Sequence, residues 1–352
     1  MNYPTGEKFC ISISHYIRIM PDPKAIKSKS YRLKDGRLPL MKPKDHGRRI
    51  LVIGELNIDV VASGLREAPQ LGEEILASDF ALTLGSASAI FACGIAKLGY
   101  EVTFVSKVGA DEFGKFCLSE LRAAGVSTSH VIRKKELQTG VTIALSTNKE
   151  RALVTYPGSI SAVGPDLFRS SLLRGHQHLH MTSYFLQTRL KSSFPRIFRE
   201  AQEMGLSTSF DPNSDPSQNW DREIDGVLAH TDLLFLNENE ALRLTRQRDV
   251  RSALKKLGDL VPCVVIKRGA RGAIGISEGK ITSVRAFRIV TKDTTGAGDS
   301  FAAGFVSSFL RGGSIGESLR SGNACGALSA MYAGGTAGQP DLSALNRFLK
   351  EH

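Results

Sequence analysis

The stretch Arg49-Ile50-Leu51-Val52-Ile53-Gly54-Glu55 predicts a buried first strand, because a short apolar run ending at glycine is typical of interior strands in α/β sheets. Similar apolar runs recur along the chain and alternate with segments whose apolar residues repeat at helical spacing. The further buried strands predicted in this way are residues 102–106, 178–183, 206–211, 233–237, 264–268 and 273–276. This alternation predicts a three-layer α/β/α sandwich with a mainly parallel central sheet.

Helical segments are predicted between these strands and after the last of them. They are residues 87–98, 112–124, 193–204, 240–244, 250–257, 298–310, 315–332 and 342–350. Two other segments, about 57–84 and 140–157, alternate polar and apolar residues and therefore predict half-buried strands. Such strands do not fit a fully covered central sheet, so we expect them to form a small separate β-sheet. We interpret it as a lid over the carboxyl edge of the parallel strands, where α/β proteins bind their ligands.

The net charge of +11 is concentrated at one end of the chain. Residues 1–49 hold twelve Lys and Arg but only four acids, so +8 lies there and +3 in the other 303 residues. Residues 1–48 also lack periodicity and contain five prolines, which predicts a basic, disordered N-terminal extension ahead of one domain at 49–352. Because the domain is nearly neutral and the extension has no recognition motif, we expect no nucleic-acid partner.

The five cysteines are far apart, and none forms a Cys-x-x-Cys pair. This spacing argues against a disulfide framework or a thiolate metal site and favours a reducing compartment. No stretch of about 18 predominantly apolar residues occurs, so no membrane span is predicted. The sequence therefore predicts a cytoplasmic protein without a membrane partner.

The segment Asp293-Thr294-Thr295-Gly296-Ala297-Gly298-Asp299, here called the glycine turn, leads directly into an apolar helix. A glycine-rich turn at a helix N-terminus presents unpaired N–H groups and the positive end of the helix dipole, which together bind anions. Asp299 would lie beside such an anion, where a carboxylate can take a proton from an attacking hydroxyl. Alternatively, Asp299 only complements the helix dipole. Neither the P-loop pattern nor the G-x-G-x-x-G spacing is present here.

Residues 293–305 resemble the C-terminal signature of the ribokinase-like (PfkB) family of ATP-dependent carbohydrate kinases, and the resemblance extends from about residue 49 to the C-terminus. It implies a ribokinase-like fold. It also implies that Asp299 is the general base and that the backbone N–H groups of Gly296, Ala297 and Gly298 stabilise charge on the transferring phosphoryl group.

The resemblance further implies two cation sites. Asp293 and Thr295 match positions that the family uses around a monovalent cation such as K⁺. Asn237 and Glu240, in a segment that follows a predicted strand, resemble the N-x-x-E motif that organises Mg²⁺ and its waters. The same segment is also a typical capped helix start, and the two roles are compatible.

Nucleotide and acceptor sites follow from the same resemblance. Lys267, Gly269 and Gly272 lie in a segment similar to the nucleotide loop of the family, and Asn323 lies where the family contacts adenine. On the acceptor side, Asp59 resembles the carboxylate that binds sugar hydroxyls, and each carboxylate can accept two such hydrogen bonds. Alternatively, Asp59 is only an acid at a strand-end turn. The residues predicted to bind the acceptor are Asn57, Asp59, Gly85, Ser88 and Ile90.

The sequence departs from the family pattern near residue 85. Ser86 replaces the second of two glycines, and Ile90 replaces an asparagine that often contacts the sugar. An isoleucine cannot pair with a hydroxyl, and an unpaired buried hydroxyl costs about 1–3 kcal/mol. Either Ile90 packs against an apolar part of the acceptor or Ser88 supplies the polar contact. Arg151, in a charged segment, is expected in a hairpin turn rather than in the site.

The function predicted from these residues is transfer of the γ-phosphate of ATP to a primary hydroxyl of a sugar or sugar-like acceptor, with ATP, Mg²⁺ and K⁺ as the implied ligands. Two alternatives stay open: a nucleoside kinase of the same fold, and a catalytically retired protein that binds sugar or nucleotide. Some members of the family form homodimers through the lid. The sequence is compatible with either a monomer or such a dimer.

Overall fold

The computed structural model describes residues 47–147 and 151–352. The predicted extension therefore lies outside the described residues, except for positions 47 and 48. In chain order the strands are β1 (Arg49–Ile53), β2 (Asn57–Leu65), β3 (Asp79–Leu84), β4 (Glu101–Gly109), β5 (Ser127–Lys134), β6 (Gly140–Thr147), β7 (Arg151–Tyr156), β8 (His178–Thr182), β9 (Ser207–Asp211), β10 (Leu233–Asn237), β11 (Cys263–Lys267), β12 (Ala273–Ser277) and β13 (Lys280–Val284). The α-helices are α1 (Ala87–Lys97), α2 (Glu112–Ala123), α3 (Phe194–Glu203), α4 (Asp225–Leu228), α5 (Glu238–Thr245), α6 (Val250–Gly258), α7 (Ala297–Leu310), α8 (Ile315–Ala330) and α9 (Leu342–Glu351).

The large sheet has nine strands in the order β13-β12-β11-β10-β9-β8-β1-β4-β5. The strands from β11 to β5 pair in parallel, whereas β12 and β13 are antiparallel. Alternate residues of β1 enter two different cores: Ile50 and Val52 pack toward α1, α2 and α7, while Leu51 and Ile53 pack toward α3 to α6. Both faces of the sheet are thus covered, which explains the continuous apolar runs and confirms the predicted three-layer sandwich.

The lid is a separate four-stranded sheet in the order β3-β2-β6-β7. Strand β2 begins only four positions after β1 ends, so the lid starts directly at the carboxyl edge of the central sheet. Its strands are only partly buried, and β7 is exposed along its whole length. The prediction of a small separate sheet is therefore confirmed.

Strands β5 and β13 were not predicted from the sequence. Both lie at the edges of the large sheet and have many exposed residues. An edge strand lacks the continuous apolar run by which an interior strand is identified. Helix α5 also begins earlier than predicted, at Glu238, because its cap is the strand-end residue Asn237.

Within the described part of the chain, no helix has the length and apolarity that crossing a bilayer requires. Four of the five cysteines lie in this part, namely Cys93, Cys117, Cys263 and Cys325, and each is a buried free thiol. The prediction that they form no disulfide framework agrees with this arrangement.

Helices α7 and α8 approach each other closely at Gly304. A Cβ atom at this position would lie 2.6 Å from Cys325 Sγ and 2.8 Å from the backbone oxygen of Ser321. Both distances are shorter than a methyl group can tolerate. The second is to a backbone atom, which cannot rotate away. This packing matters for function because α7 begins at the glycine turn.

We expect Gly304→Ala to reduce the free energy of unfolding by about 1–3 kcal/mol, since the added methyl overpacks the α7–α8 contact. Gly316→Ala in α8 is the matched control. Its Cβ would meet only Thr282 Cγ2 at 3.8 Å, so the change should be neutral or stabilising by up to about 1 kcal/mol. Denaturant unfolding of both variants measures the difference, and equal stability would contradict the packing argument.

Candidate active site

The glycine turn has the backbone geometry of an anion-binding helix start. Gly296 is the N-cap of α7 and has φ 69°, and a Cβ atom there would lie 2.6 Å from Gly335 Cα. Position 296 therefore requires glycine both for its left-handed conformation and for its close neighbour. The N–H of Ala297 is bonded to the carbonyl of Thr294 at 3.2 Å, whereas no described residue accepts from the N–H groups of Gly296 and Gly298. Two of the three predicted amides thus remain available to an anion.

Asp299 lies in the first turn of α7, close to several other charges. Burial raises the pKa of Asp299 to about 7; the Lys267 ammonium opposes this shift, and Asp211, Glu55 and Glu240 reinforce it. A carboxylate with a pKa near neutral suits proton transfer at physiological pH.

Lys267, at the end of β11, places a cation beside the glycine turn. Its Nζ lies 3.3 Å from the position that a Cβ on Gly298 would occupy, and it forms a 2.5 Å ion pair with Asp211 at the end of β9. Burial acts to lower the pKa of Lys267, but Asp211, Glu240 and Asp299 outweigh it and raise that pKa. Lys267 therefore stays charged next to the two available amides.

Asn237 and Glu240 form a capping box at the start of α5. The Glu240 N–H donates to Asn237 Oδ1 at 2.9 Å, and the Asn237 N–H donates to Glu240 Oε2 at 2.8 Å. Ser214 also donates to Glu240 Oε1 at 3.2 Å. Burial raises the pKa of Glu240, with Asp211 adding to the shift. The oxygens of Glu240 and Asp211 are of the type that Mg²⁺ prefers, and Mg²⁺ keeps most of its waters, so this donor set fits the ion.

The predicted nucleotide loop contains two glycines that are needed for different reasons. Gly269 has φ 55° with open space around it, so its constraint is conformational. Gly272 has φ 88°, and a Cβ there would lie 2.1 Å from the Val284 carbonyl oxygen, so it is also constrained by packing. The two arginines of the loop, Arg268 and Arg271, both pair with Glu238.

Asn323 is engaged within the protein. Its Nδ2 donates to the carbonyl oxygens of Val284 and Arg285 at 3.3 and 3.1 Å, which ties α8 to the end of β13. The side chain thus has both amide protons in use, and only its oxygen is left for another contact. Sequence reasoning could not anticipate this, because the carbonyl partners lie 38 and 39 positions away.

Asn57, Asp59 and Gly85 are brought together at the junction of β2 and β3. Asn57 Nδ2 donates to Asp59 Oδ1 at 3.2 Å and to Thr142 Oγ1 at 3.3 Å. A Cβ on Gly85 would lie 2.2 Å from Asp59 Oδ1, so the glycine makes room for this pair. Burial raises the pKa of Asp59 to about 6, against the effects of Arg151 and Asn57.

Ser88 and Ile90 are both turned into the protein. Ser88 Oγ donates to Glu55 Oε2 at 2.8 Å and is fully buried. Ile90 is 3% exposed, and its Cδ1 packs against Gly296 and Gly335. In this arrangement Ile90 supports the glycine turn, and the Ser88 hydroxyl is occupied by Glu55. Ser86 caps α1 with φ 72°, a left-handed conformation that explains why the family has a glycine there.

Arg151 is a site residue that sequence reasoning missed. It was expected in a hairpin turn, but it is the first residue of lid strand β7, and its Nη1 donates to Thr295 Oγ1 at 2.6 Å. Its charge also acts on the pKa values of both Asp59 and Asp293. Nothing in the local pattern indicates this contact, because Thr295 is 144 positions away.

Asp293 is held by three donors. Its Oδ1 accepts from the Thr295 N–H at 2.9 Å and hydroxyl at 2.7 Å, and its Oδ2 accepts from the Gly334 N–H at 2.9 Å. Although burial opposes the shift, these hydrogen bonds and Arg151 keep the pKa of Asp293 below its usual range. Since the Thr295 hydroxyl already accepts from the Arg151 guanidinium, which brings a positive charge to this position, the pair does not fit a K⁺ site well.

Both the sequence and the fold of this chain resemble those of known proteins. The model of the pfkB family of carbohydrate kinases matches residues 48–342. The chain is 33% identical over 293 residues to the 2-dehydro-3-deoxygluconokinase of Bacillus subtilis, which covers 77% of this chain and 88% of that protein. It is 32% identical over 305 residues to the ATP-dependent ribose-1-phosphate kinase of Halopiger xanaduensis, covering 86% and 98%. The fold matches that of Arabidopsis thaliana ribokinase complexed with ribose and ATP, with a TM-score of 0.75, 24% identity, and coverage of 86% of this chain and 99% of that chain.

We expect Asp299→Asn to make the fold more stable than the wild type, increasingly so from about pH 4 to pH 7. The pKa of Asp299 is raised to about 7 in the folded state, so between these values the folded protein holds a proton that the unfolded chain has lost. The free energy of unfolding of the wild type therefore falls, relative to that of the variant, as the pH rises from about 4 to about 7. Above pH 7 the difference between the two proteins is constant. Thermal unfolding across pH measures this, and a difference independent of pH would contradict the assigned shift.

Proposed function

The chain belongs to the pfkB family of carbohydrate kinases, and we propose that it transfers the γ-phosphate of ATP to a primary hydroxyl of a sugar or sugar-like acceptor through Asp299. The observation that carries this proposal is the position of Asp299, whose pKa is raised to about 7, in the first turn of a helix with two available amides at its start. A general base and an anion site are thus adjacent, as phosphoryl transfer to an alcohol requires.

In the proposed reaction, Asp299 accepts the proton of the acceptor hydroxyl as its oxygen attacks the γ-phosphorus. A new O–P bond forms, and the bond from the γ-phosphorus to the bridging oxygen of ADP breaks. The N–H groups of Gly296 and Gly298 and the ammonium of Lys267 stabilise the negative charge on the transferring group. Glu240 and Asp211 would hold Mg²⁺, which when bound neutralises charge on the phosphates.

The proposed acceptor site uses Asp59 and Asn57, which the lid brings to the carboxyl edge of the central sheet. Arg151 links the same lid to Thr295 in the glycine turn, so the lid and the turn are in direct contact. Such contact would exclude water from the transferring phosphoryl group and limit hydrolysis of ATP. The named relatives phosphorylate 2-dehydro-3-deoxygluconate or ribose 1-phosphate, which supports a sugar-type acceptor.

The proposal is tested by an acceptor screen coupled to ADP release, with Mg²⁺ and ATP, using ribose, fructose, ribose 1-phosphate, 2-dehydro-3-deoxygluconate and a set of nucleosides. We expect at least one sugar or sugar acid to stimulate ADP release. Stimulation by nucleosides alone would identify a nucleoside kinase of the same fold. No stimulation by any acceptor, with ATP still bound, would favour the retired binding protein.

With the active acceptor, we expect Asp299→Asn to lower kcat by at least about a hundredfold while ATP and acceptor binding are retained, because only proton transfer is lost. Asp232→Asn is the control, since it neutralises another buried carboxylate that accepts from Thr208 at the opposite end of the sheet. It should leave kcat near the wild-type value. Near-wild-type turnover of Asp299→Asn would disprove the role of Asp299 as the base.

We also expect Arg151→Met to lower kcat/KM for the acceptor by roughly 10- to 100-fold, the usual effect of losing a charge-assisted hydrogen bond, with little change in KM for ATP. Arg122→Met is the matched control. It removes a comparable bond, from Nε to Thr128 Oγ1 at 2.9 Å, on the exposed surface. Steady-state kinetics with each substrate varied measures both, and equal behaviour of the two variants would contradict a role for Arg151 in the site.

A further inference from the structure

Arg151 brings a positive charge to the two residues for which the family resemblance implies a monovalent cation. Its Nη1 donates to Thr295 Oγ1 at 2.6 Å, and the Thr295 hydroxyl donates to Asp293 Oδ1 at 2.7 Å. The guanidinium and the carboxylate are therefore connected through a single hydroxyl. Thr295 is itself buried, so this connection is partly shielded from water. A cation of the protein thus already serves the pair at which K⁺ would bind.

Asp293 has little capacity left for a bound ion. Its Oδ1 accepts from both the N–H and the hydroxyl of Thr295, and its Oδ2 accepts from the Gly334 N–H. A carboxylate offers about four lone-pair sites, so these bonds leave about one of them for an ion. An ion that needs several oxygen ligands would have to find the others elsewhere.

Three backbone carbonyl oxygens near the turn are engaged as well. At the end of α8, the Ala330 oxygen accepts from the Asp293 N–H at 3.2 Å. In the loop that follows, the Gly335 oxygen accepts from a serine hydroxyl at 3.4 Å, and the Thr336 oxygen accepts from the Lys97 ammonium at 2.7 Å. Carbonyl oxygens are the groups that replace the water shell of K⁺ in proteins. An incoming ion would have to compete with the donors that these three oxygens already have.

The guanidinium reaches this place from the lid. Arg151 begins β7, and alternate residues of a strand share a face, so Arg151 and Thr155 lie on the same side of the lid. Thr155 Oγ1 lies 3.1 Å from Thr142 Oγ1, which accepts from Asn57 Nδ2 at 3.3 Å. That side of the lid therefore carries both the proposed acceptor pair, Asn57 and Asp59, and the guanidinium.

We propose that the Arg151 guanidinium replaces the exchangeable monovalent cation beside the glycine turn, so that turnover does not require K⁺. The inference rests on the proposed function, in which the turn holds the transferring phosphoryl group. Since the guanidinium belongs to the lid, one hydrogen bond both joins the lid to the turn and brings a balancing charge to Asp293. The guanidinium stays charged at any physiological pH, and it repels a second cation at the same place.

A different role for Arg151 is that of a lid anchor, in which only the hydrogen bond to Thr295 matters. The two roles differ in the response to ions. An anchor can be replaced by a neutral donor such as glutamine, and its loss creates no site for a cation. A charge that stands in for an ion leaves the Asp293 carboxylate uncompensated when it is removed, so a cation from solution then takes its place.

The kinetic test compares K⁺ with tetramethylammonium, a much bulkier cation, at equal ionic strength. ATP is supplied as its Tris salt and Mg²⁺ as the chloride, and the acceptor is the most active one of the screen. We expect the wild-type kcat/KM to be the same in both salts to within about twofold. A wild type that needs K⁺ would overturn the inference.

Two variants remove the charge: Arg151→Gln keeps a hydrogen-bond donor, and Arg151→Met does not. We expect both to have a kcat/KM at least about fivefold higher in K⁺ than in tetramethylammonium, because part of the lost charge-assisted interaction is regained. Arg151→Lys keeps a charge and should stay insensitive to K⁺. Arg122→Met is the matched control, since it removes an exposed bond to Thr128 and should respond to the salts as the wild type does.

A second measurement needs neither acceptor nor turnover. A cation that binds only the folded protein raises the temperature of unfolding. The difference in unfolding temperature between the two salts should therefore be the same for the wild type and Arg122→Met. Arg151→Met should gain a further roughly 1–3 °C in K⁺, because the ion binds where the guanidinium has been removed.

The outcomes separate the inference from the proposed function. A wild type insensitive to K⁺, together with responsive Arg151→Gln and Arg151→Met variants, supports the inference. Variants that do not respond to K⁺, whatever their activity, would show that Arg151 is only an anchor and would overturn it. No activity with any acceptor, or near-wild-type turnover of Asp299→Asn, would overturn the proposed function instead. The unfolding measurement would then still test the replacement of the cation.

Discussion

The constraint on which the site depends is the burial of negative charge at the carboxyl ends of the parallel strands. Glu55, Asp211, Glu240 and Asp299 lie there, and the Lys267 ammonium interacts with the last three of them. Glu55 accepts hydrogen bonds from serine hydroxyls, Asp211 forms an ion pair with Lys267, and Glu240 belongs to a helix cap. Burial raises the pKa of Asp299 to about 7, and repulsion from the three other carboxylates adds to this shift. The fold thus brings the pKa of Asp299 near neutrality by burying its carboxyl group beside other carboxylates, while the Lys267 ammonium opposes the shift.

The parallel topology explains why these groups meet. Strands β1, β9, β10 and β11 run in the same direction, so the residues that follow them lie along one edge of the sheet. The helices that come next start at the same edge and present their N-termini to it, which favours anions. The lid begins immediately after β1, and its strands carry Asp59 and Arg151 to this edge of the central sheet. Apolar strands in the interior therefore determine where the polar chemistry is located.

The features that could be predicted from the sequence are those encoded in short segments. The glycine turn, the Asn237–Glu240 cap and the Asn57–Asp59 pair each lie within a few residues, and the interior strands are marked by their apolar runs. The contacts that could not be predicted join distant segments. Arg151 contacts Thr295 across 144 positions, and Glu55 accepts hydrogen bonds from residues up to 132 positions away. The inward orientation of Ser88 and Ile90 depends on such contacts, as does the use of Asn323 by two distant carbonyls.

The same long-range contacts change what the departures from the family pattern mean. Ile90 in place of a polar residue suggested an altered acceptor, yet its side chain packs on Gly296 and Gly335. Ser86 stands where the family pattern has glycine, and it does have a left-handed backbone, but its hydroxyl donates to the backbone carbonyl of Glu55 at 2.6 Å. A glycine could not make this bond. The substitution therefore exchanges conformational ease for a hydrogen bond that joins the start of α1 to the backbone just after β1. In the proposed function, acceptor selectivity resides instead with lid residues such as Asp59 and Arg151.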